Sequence, residues 1–370
     1  MATARSSTPS ALDWFTTGMG RLALALIVPL VTFIGLWQGF IFLRDSNAPK
    51  WFVAIVAIVW GVGGAALLYF VSNWLVEQLS PEWVRRLQPF LFVGPAMMIL
   101  TWFLALPTLR TLYISLFNFD STVFVGLENY FKVITDPNML YVFRNNLLWM
   151  VFGTTFTVIF GLLVAVLADR SQFETIAKAI IFMPMAISFV GAGVIWNFIY
   201  EVKDRNSEQI GLLNAIWVAL GNEPQAWTAL IAPPFNSFFL IVIVIWLQTG
   251  YAMVLFSAAI KGIPGEVLEA ARVDGANEWQ IFFQIMIPQI MGTIITVTTT
   301  VIIFTLKIFD VVIVMTGGQF ETSVIATEFY RQSFTNRDFG VAATIAIILF
   351  IAVVPVMIYN LRSFNEREAF

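Results

Sequence analysis

Residues 261–288, KGIPGEVLEAARVDGANEWQIFFQIMIP, set Glu266 and Glu269 beside Ala270 and Ala271. Carboxylates among small side chains suit docking better than catalysis. The small residues let another surface come close, and the acids meet its basic groups. Ala270, Ala271 and Val267 are expected on one side of a short helix, with Glu266 and Glu269 beside them. On spacing alone, an ordinary amphipathic helix at a membrane interface fits equally well. The sequence offers no conventional reaction centre. None of its 370 residues is a cysteine or a histidine, which removes disulfides, thiolates, the commonest metal ligand and the usual general base. It also lacks a G-x-x-x-x-G-K-[ST] phosphate loop, so ATP is not expected to bind here. The other candidates are polar residues inside apolar runs, where they are expensive and functional by default: Gln248, Tyr251, Thr305, Lys307 and Asp310. Lys307 and Asp310 lie three apart, so one helical face would let them neutralise one another. A solute-lining role and a structural pair at the membrane edge explain them equally. Tyr251 reads equally as a packing aromatic, and Thr305 as a hydroxyl bonded to its own helix, the commoner behaviour.

The elements that must position these residues begin with the segment itself. Pro264 suits a first helical turn, where a missing N–H costs nothing. Glu266–Val273 is rich in helix formers. Gly275 is the natural stop, because glycine takes the left-handed conformation without a steric penalty. Asn277, with Gln280 three residues on, can cap a second helix reciprocally. That second helix runs on into an apolar stretch through Phe282, Phe283, Ile285 and Ile287.

The rest of the chain is apolar to match. Hydrophobic residues make up 59% and charged residues 12%, against about 25% charged in soluble domains. The surface is therefore expected to face lipid. Eight segments reach the ~20 apolar residues that a spanning helix needs, at roughly 22–43, 51–75, 88–116, 147–168, 178–200, 235–260, 287–313 and 339–361. Between them, residues 118–146 and 201–234 are polar loops long enough for short interfacial helices. An even count puts both termini on one side, but lysine and arginine are too evenly shared between alternate loops to say which. Residues 1–20 do not read as a cleaved signal peptide. The formal net charge of −3, without a basic stripe, gives no reason to expect nucleic acid.

Glu269-Ala270-Ala271, then Gly275 after three residues, then Ile285, Ile287 and Pro288, resembles the EAA loop of binding-protein-dependent ABC importer permeases. The one departure is Ile287 where the family pattern has leucine. Asp274-Gly275-Ala276 and the Trp279/Phe282 pair resemble the carbohydrate (maltose permease-like) branch. Phe309-Asp310, Met315-Thr316-Gly317-Gly318 and Thr322 are similar to the FD…TGGP…T stretch of sugar permeases, with Gln319 in place of the proline. Phe124-Val125-Gly126-Leu127-Glu128-Asn129-Tyr130 resembles the family's FVGLxNY, and Trp246-Leu247-Gln248 with Gly250-Tyr251 lies where the family has a Trp and a Gly-Tyr.

The resemblance implies an all-α polytopic membrane protein of about eight transmembrane helices. A six-helix permease core (88–362) would follow two additional helices (21–87), with short cytoplasmic segments at 1–20 and 363–370. It implies that the loop at 261–288 is cytoplasmic and couples to an ATPase through Glu266, Glu269, Ala270, Ala271, Asp274, Gly275 and Ala276. Both termini would then be cytoplasmic, in a bacterial inner membrane. The implied partners are a second homologous permease, two ATPase subunits that bind ATP and magnesium, an extracytoplasmic solute-binding protein, a sugar-type solute and the lipid bilayer. This chain would hold no cofactor and would not be an enzyme. Tyr251 and Thr305 fall near stretches that resemble ligand-contacting parts of the maltose-type permease. The expected solutes are disaccharides, α-glucosides or glycosidic osmolytes such as glucosylglycerol, sucrose or trehalose, ahead of a polyol or glycerol-3-phosphate. An intramembrane enzyme would need converging carboxylates or a Ser/Lys pair. An ion-coupled carrier would need acids on several spans, and only Asp310 is expected inside one.

Overall fold

A computed structural model describes residues 18–169, 171–229 and 231–368. Among them, helices carry the architecture, and seven are long and apolar enough to cross a membrane, or eight if one bent pair is a single span. The chain divides into two compact units, Met1–Pro107 and Thr108–Phe370.

In the first unit, α1 (Gly18–Asp45) packs on α2 (Lys50–Glu77). The third span, α3 (Pro81–Ile114), begins here, and the unit boundary falls inside it. The rings of Tyr69 and Phe92 meet edge to face at 5.0 Å, and Gln88 donates to Asn73 at 3.3 Å. These helices are apolar on every side, as a lipid-facing helix is.

The second unit is built around α9. Before it come α4 (Glu128–Thr135), the span α5 (Pro137–Asp169), α6 (Glu174–Ala186), α7 (Phe189–Ile199) and α8 (Leu212–Ala219). After α9 (Phe235–Lys261) come α10 (Gly265–Val273), α11 (Glu278–Leu306), α12 (Asp310–Met315), α13 (Ile325–Tyr330) and α14 (Phe339–Glu368). The most apolar stretch of α9 is 56% buried, the highest share of any span. It packs closely along α5, because a side chain at Gly161 would meet the Ala252 methyl at 2.4 Å. Small residues permit such close approach in the absence of a hydrophobic force between helices.

The third span starts at Pro81 instead of near 88, and three later spans differ more. The fourth span starts at Pro137 instead of near 147, because Asp136 caps it by accepting from the Asn138 N–H at 2.9 Å. The fifth is bent by 103° between α6 and α7, at Ile187 and Ser188, where Ser188 caps the new helix through the Gly191 N–H. The seventh does not run to 313. It starts earlier, at Glu278, and ends at Leu306, with α12 following after a break at 307–309.

Candidate functional site

α10 starts at Gly265, so Pro264 stands just outside the first turn as its N-cap residue. The helix closes as its residues dictate. Gly275 takes φ +86°, and its N–H donates to the Arg272 carbonyl at 3.1 Å while the Ala276 N–H donates to the Ala271 carbonyl at 3.0 Å. These are the paired bonds of a Schellman termination. Arg272 and Glu278 pair across the turn at 3.3 Å. Asn277 and Gln280 then exchange side-chain-to-backbone bonds of 2.9 and 2.8 Å, which starts α11 as expected.

The facing of α10 differs from expectation at one residue. Ala271 is turned inward, 9% exposed, against Ile263, Ile281, Met286 and Ile290. The direction in which α10 leans on α11 sets this, and spacing alone does not. Glu266, Val267, Glu269, Ala270, Asp274 and Gly275 are exposed, and Ala276 is half-buried. Val273, at 87% exposure, and Trp279, stacked on Phe283 at 6.0 Å, complete an outward face that combines acids with bare hydrophobic groups. Neither was singled out as part of a docking face in the sequence reading. An exposed apolar residue at the end of an acidic helix was the signal.

At the other end of α9 the backbone is irregular. α7 and α12 pack together, close enough that a side chain at Gly193 would meet Val314 at 2.8 Å, and Asn197 donates to the Val314 carbonyl at 3.4 Å. Three asparagines hold the chain around the break. Asn146 of α5 donates to the Leu306 carbonyl at 3.1 Å and accepts from the Ile325 N–H at 2.7 Å. Asn145 donates to the Glu321 and Ser323 carbonyls, and Asn236 of α9 to the Phe320 carbonyl. The loop they clamp contains Gly317, Gly318, Phe320 and Glu321, all at positive φ. For Phe320 and Glu321 that conformation costs roughly 1–2 kcal/mol each. Thr316 and Thr322 join hydroxyls at 2.6 Å inside it. These asparagines were missed because they border polar loops; their signal was amides at the ends of apolar runs.

The expected path residues do not converge. Lys307 and Asp310 share no helical face: the helix stops at Leu306, Lys307 takes φ −99° and ψ 12°, and Asp310 opens α12. No ion pair joins them among the described residues; Lys307 is exposed and Asp310 half-buried. Thr305 is fully buried and donates to the Val301 and Ile302 carbonyls at 3.1 and 3.0 Å. Gln248 is buried within α9, and Tyr251 packs half-buried near Ala165, Met253 and Phe256. Thr305 stands beside Gly153 at the level of Ile241, so at 1.5 Å per residue Tyr251 is about 15 Å further along α9.

Apolar spans around one buried helix, two of them interrupted, define a polytopic integral membrane protein. The family model for "Binding-protein-dependent transport system inner membrane component" matches residues 157–364. The osmoprotective compounds uptake permease protein GgtC of Synechocystis sp. is 53% identical over 75% of this chain and 99% of its own length. The alpha-glucoside transport system permease protein AglF of Rhizobium meliloti is 47% identical over 85% of this chain and 97% of its own. Among solved structures, a bacterial ABC transporter that imports the acidic polysaccharide alginate has a chain with the same fold, at TM-score 0.65 and 20% identity over 76% of this chain and 98% of that one. This chain belongs to the binding-protein-dependent transport system inner membrane component family: it is a multi-pass permease subunit of an ABC importer, and ATP hydrolysis resides in separate subunits.

Proposed function

We propose that this permease, with a second homologous subunit, forms the path for a glycoside: a disaccharide, an α-glucoside or a glycosidic osmolyte such as glucosylglycerol, sucrose or trehalose. The observation that carries this reading is the near full-length similarity to two relatives named for α-glucoside and osmoprotectant transport. An extracytoplasmic solute-binding protein delivers the solute. Two ATPase subunits, which hold ATP and magnesium, receive the outward face of α10 in a cleft, with Glu266 and Glu269 against basic groups and Val273 in an apolar recess. That assignment makes the 261–288 end and both termini cytoplasmic. Nucleotide-driven closure then rocks the spans between inward and outward access. Solute sites in such carriers form where helices are discontinuous. This favours the neighbourhood of the 307–309 break, with Lys307 and Asp310 on its flanks, over the buried Thr305 and Gln248. Tyr251 remains a candidate further along the path.

The test is ATP-dependent uptake by the complete importer of a labelled panel of disaccharides, glucosides, polyols and glycerol-3-phosphate, beside a Gly275→Trp control. One glycoside taken up by the wild type and not by the control supports the reading and names the solute. Uptake of a polyol or glycerol-3-phosphate alone transfers the assignment to that class, and uptake unaffected by Gly275→Trp removes the coupling role.

A further inference from the structure

Where α9 runs into the coupling segment, five side chains from three helices form one charged cross-link. Lys178 of α6 donates to Asp169 at the end of α5, to Ser257 of α9 and, at 2.5 Å, to Glu174 on its own helix. Ser257 donates to the same Asp169 oxygen at 2.7 Å. Lys261, the last residue of α9, donates to Glu174. Ser257 and Lys261 are one turn apart on the same face of α9. Two lysines therefore balance two carboxylates, and within the cluster every polar link between α9 and the other two helices passes through Lys178, Ser257 or Lys261. The cluster is sheltered at its centre and open at its edge: Ser257 is buried, the side chains of Lys178 and Asp169 are 18% and 13% exposed, and those of Glu174 and Lys261 are 30% and 53% exposed. Among the described residues, the second Asp169 oxygen is buried without a hydrogen-bond partner. A sheltered ion network contributes little net stability compared with apolar packing of the same volume, and its best-attested use is to fix register.

We propose that Asp169, Glu174, Lys178, Ser257 and Lys261 are positioning residues for energy coupling: they fasten the root of α10 to α5 and α6, so that displacement of α10 moves those helices with it. The inference rests on the reading of α10 as the surface that meets the ATPase. Lys261 is four residues from the start of α10, and the intervening Gly262-Ile263-Pro264 is too short to absorb a displacement. A push on α10 thus reaches Lys261 first. From there it reaches Glu174 at the start of the bent span and, through Lys178 and Ser257, the end of α5. An apolar contact at the same place would slide, whereas directional charged bonds carry both push and pull.

The experiment uses the complete importer in proteoliposomes and measures solute uptake and ATP hydrolysis separately. Lys178→Met keeps the length of the side chain and removes the charge. It leaves Asp169 without its cation, so the melting temperature of the complex is expected to fall, while assembled complex keeps at least half the ATPase rate and uptake per ATP falls at least ten-fold. Lys178→Arg restores charge and donors and is expected within three-fold of wild type. Ser257→Ala, which removes one link without leaving a charge behind, is expected to lower the ratio two- to five-fold and serves if Lys178→Met does not assemble. Parallel loss of uptake and hydrolysis, with the ratio unchanged, overturns the proposal, as does an unchanged ratio in both Lys178→Met and Ser257→Ala. Disulfide trapping from Glu269→Cys, in a chain with no other cysteine, to a cysteine in the ATPase separates the two readings. Its failure in the wild-type background sinks the docking assignment, while a normal trap with an unchanged ratio sinks only the cross-link.

Discussion

The two ends of α9 hold their neighbours by different chemistry. At the Lys261 end the ties are formal charges, and the next element, α10, shows its acids to solvent. At the Asn236 end, about 37 Å away at 1.5 Å per residue, the ties are mainly neutral amides clamping carbonyls of a strained loop, beside one longer Arg144–Glu321 pair at 3.7 Å. Charge that stays near water keeps its hydration and remains available to a partner. Amides reach deeper at lower desolvation cost and satisfy the backbone groups that a broken helix leaves open. Energy is therefore expected to enter at the charged, locally determined end. Solute is expected to meet the irregular, tertiary-determined one.

The largest expected effect tests the first half of that comparison. Gly275→Val places a β-branched residue at φ +86°, where the left-handed conformation costs about 1–2 kcal/mol and more for such a side chain. The Schellman turn is expected to open and re-aim α10. Uptake should fall more than ten-fold in a complex that still assembles and extracts normally. Uptake near wild type would show that the turn does not set the docking geometry.

The second half is tested by Asn146→Leu. It leaves the Leu306 carbonyl and the Ile325 N–H without their partner, at about 1–3 kcal/mol for each buried group. A lowered melting temperature of the purified complex is expected. So is a loss of uptake larger than the loss of ATPase activity, because the defect lies far from α10. Equal losses of both would erase the distinction between the two ends.

The same contrast explains what could be read from the sequence. α10, Gly275 and the Asn277/Gln280 cap are local: propensity, a left-handed glycine and a reciprocal bond three residues apart decide them. The spans were legible from composition. The break at 307–309 was not, because IIFTLKIFDVVIVM contains no proline or glycine, and the helix ends there through Asn146 of α5 and the packing of α12 on α7. Lys307 and Asp310 were for that reason expected on one face. The bend at Ile187 follows Pro184 and carries a serine cap, so its parts were visible although its angle was not. The inward turn of Ala271 depends on the direction in which α10 leans, which no spacing encodes. Nor does a membrane-type composition say which polar residue faces a path, since Thr305, inside an apolar run, spends its hydroxyl on its own helix.

At the break, Lys307→Met and Asp310→Asn sharpen the comparison by separating its two flanks. The two residues do not pair, so the substitutions are expected to act independently, with the double variant equal to the product of the singles. Each should change the solute concentration for half-maximal uptake by a few fold and leave basal ATPase activity intact. A double variant milder than either single would revive a direct pair in another state of the transporter.

The smallest effect is expected at the start of α11. Asn277→Ala removes the side-chain acceptor for the Gln280 N–H, and loss of an N-cap of this type costs about 1 kcal/mol. The Arg272–Glu278 pair and the Gly275 turn still hold α10 beside α11, so the helix is expected to fray by one turn without re-aiming. Uptake should fall two- to three-fold, and Asn277→Asp, which keeps the acceptor, should restore it. A loss as large as that of Gly275→Val would instead assign the aim of α10 to the cap of α11. The charged end would then depend on a neutral side-chain bond no less than the amide-clamped end does.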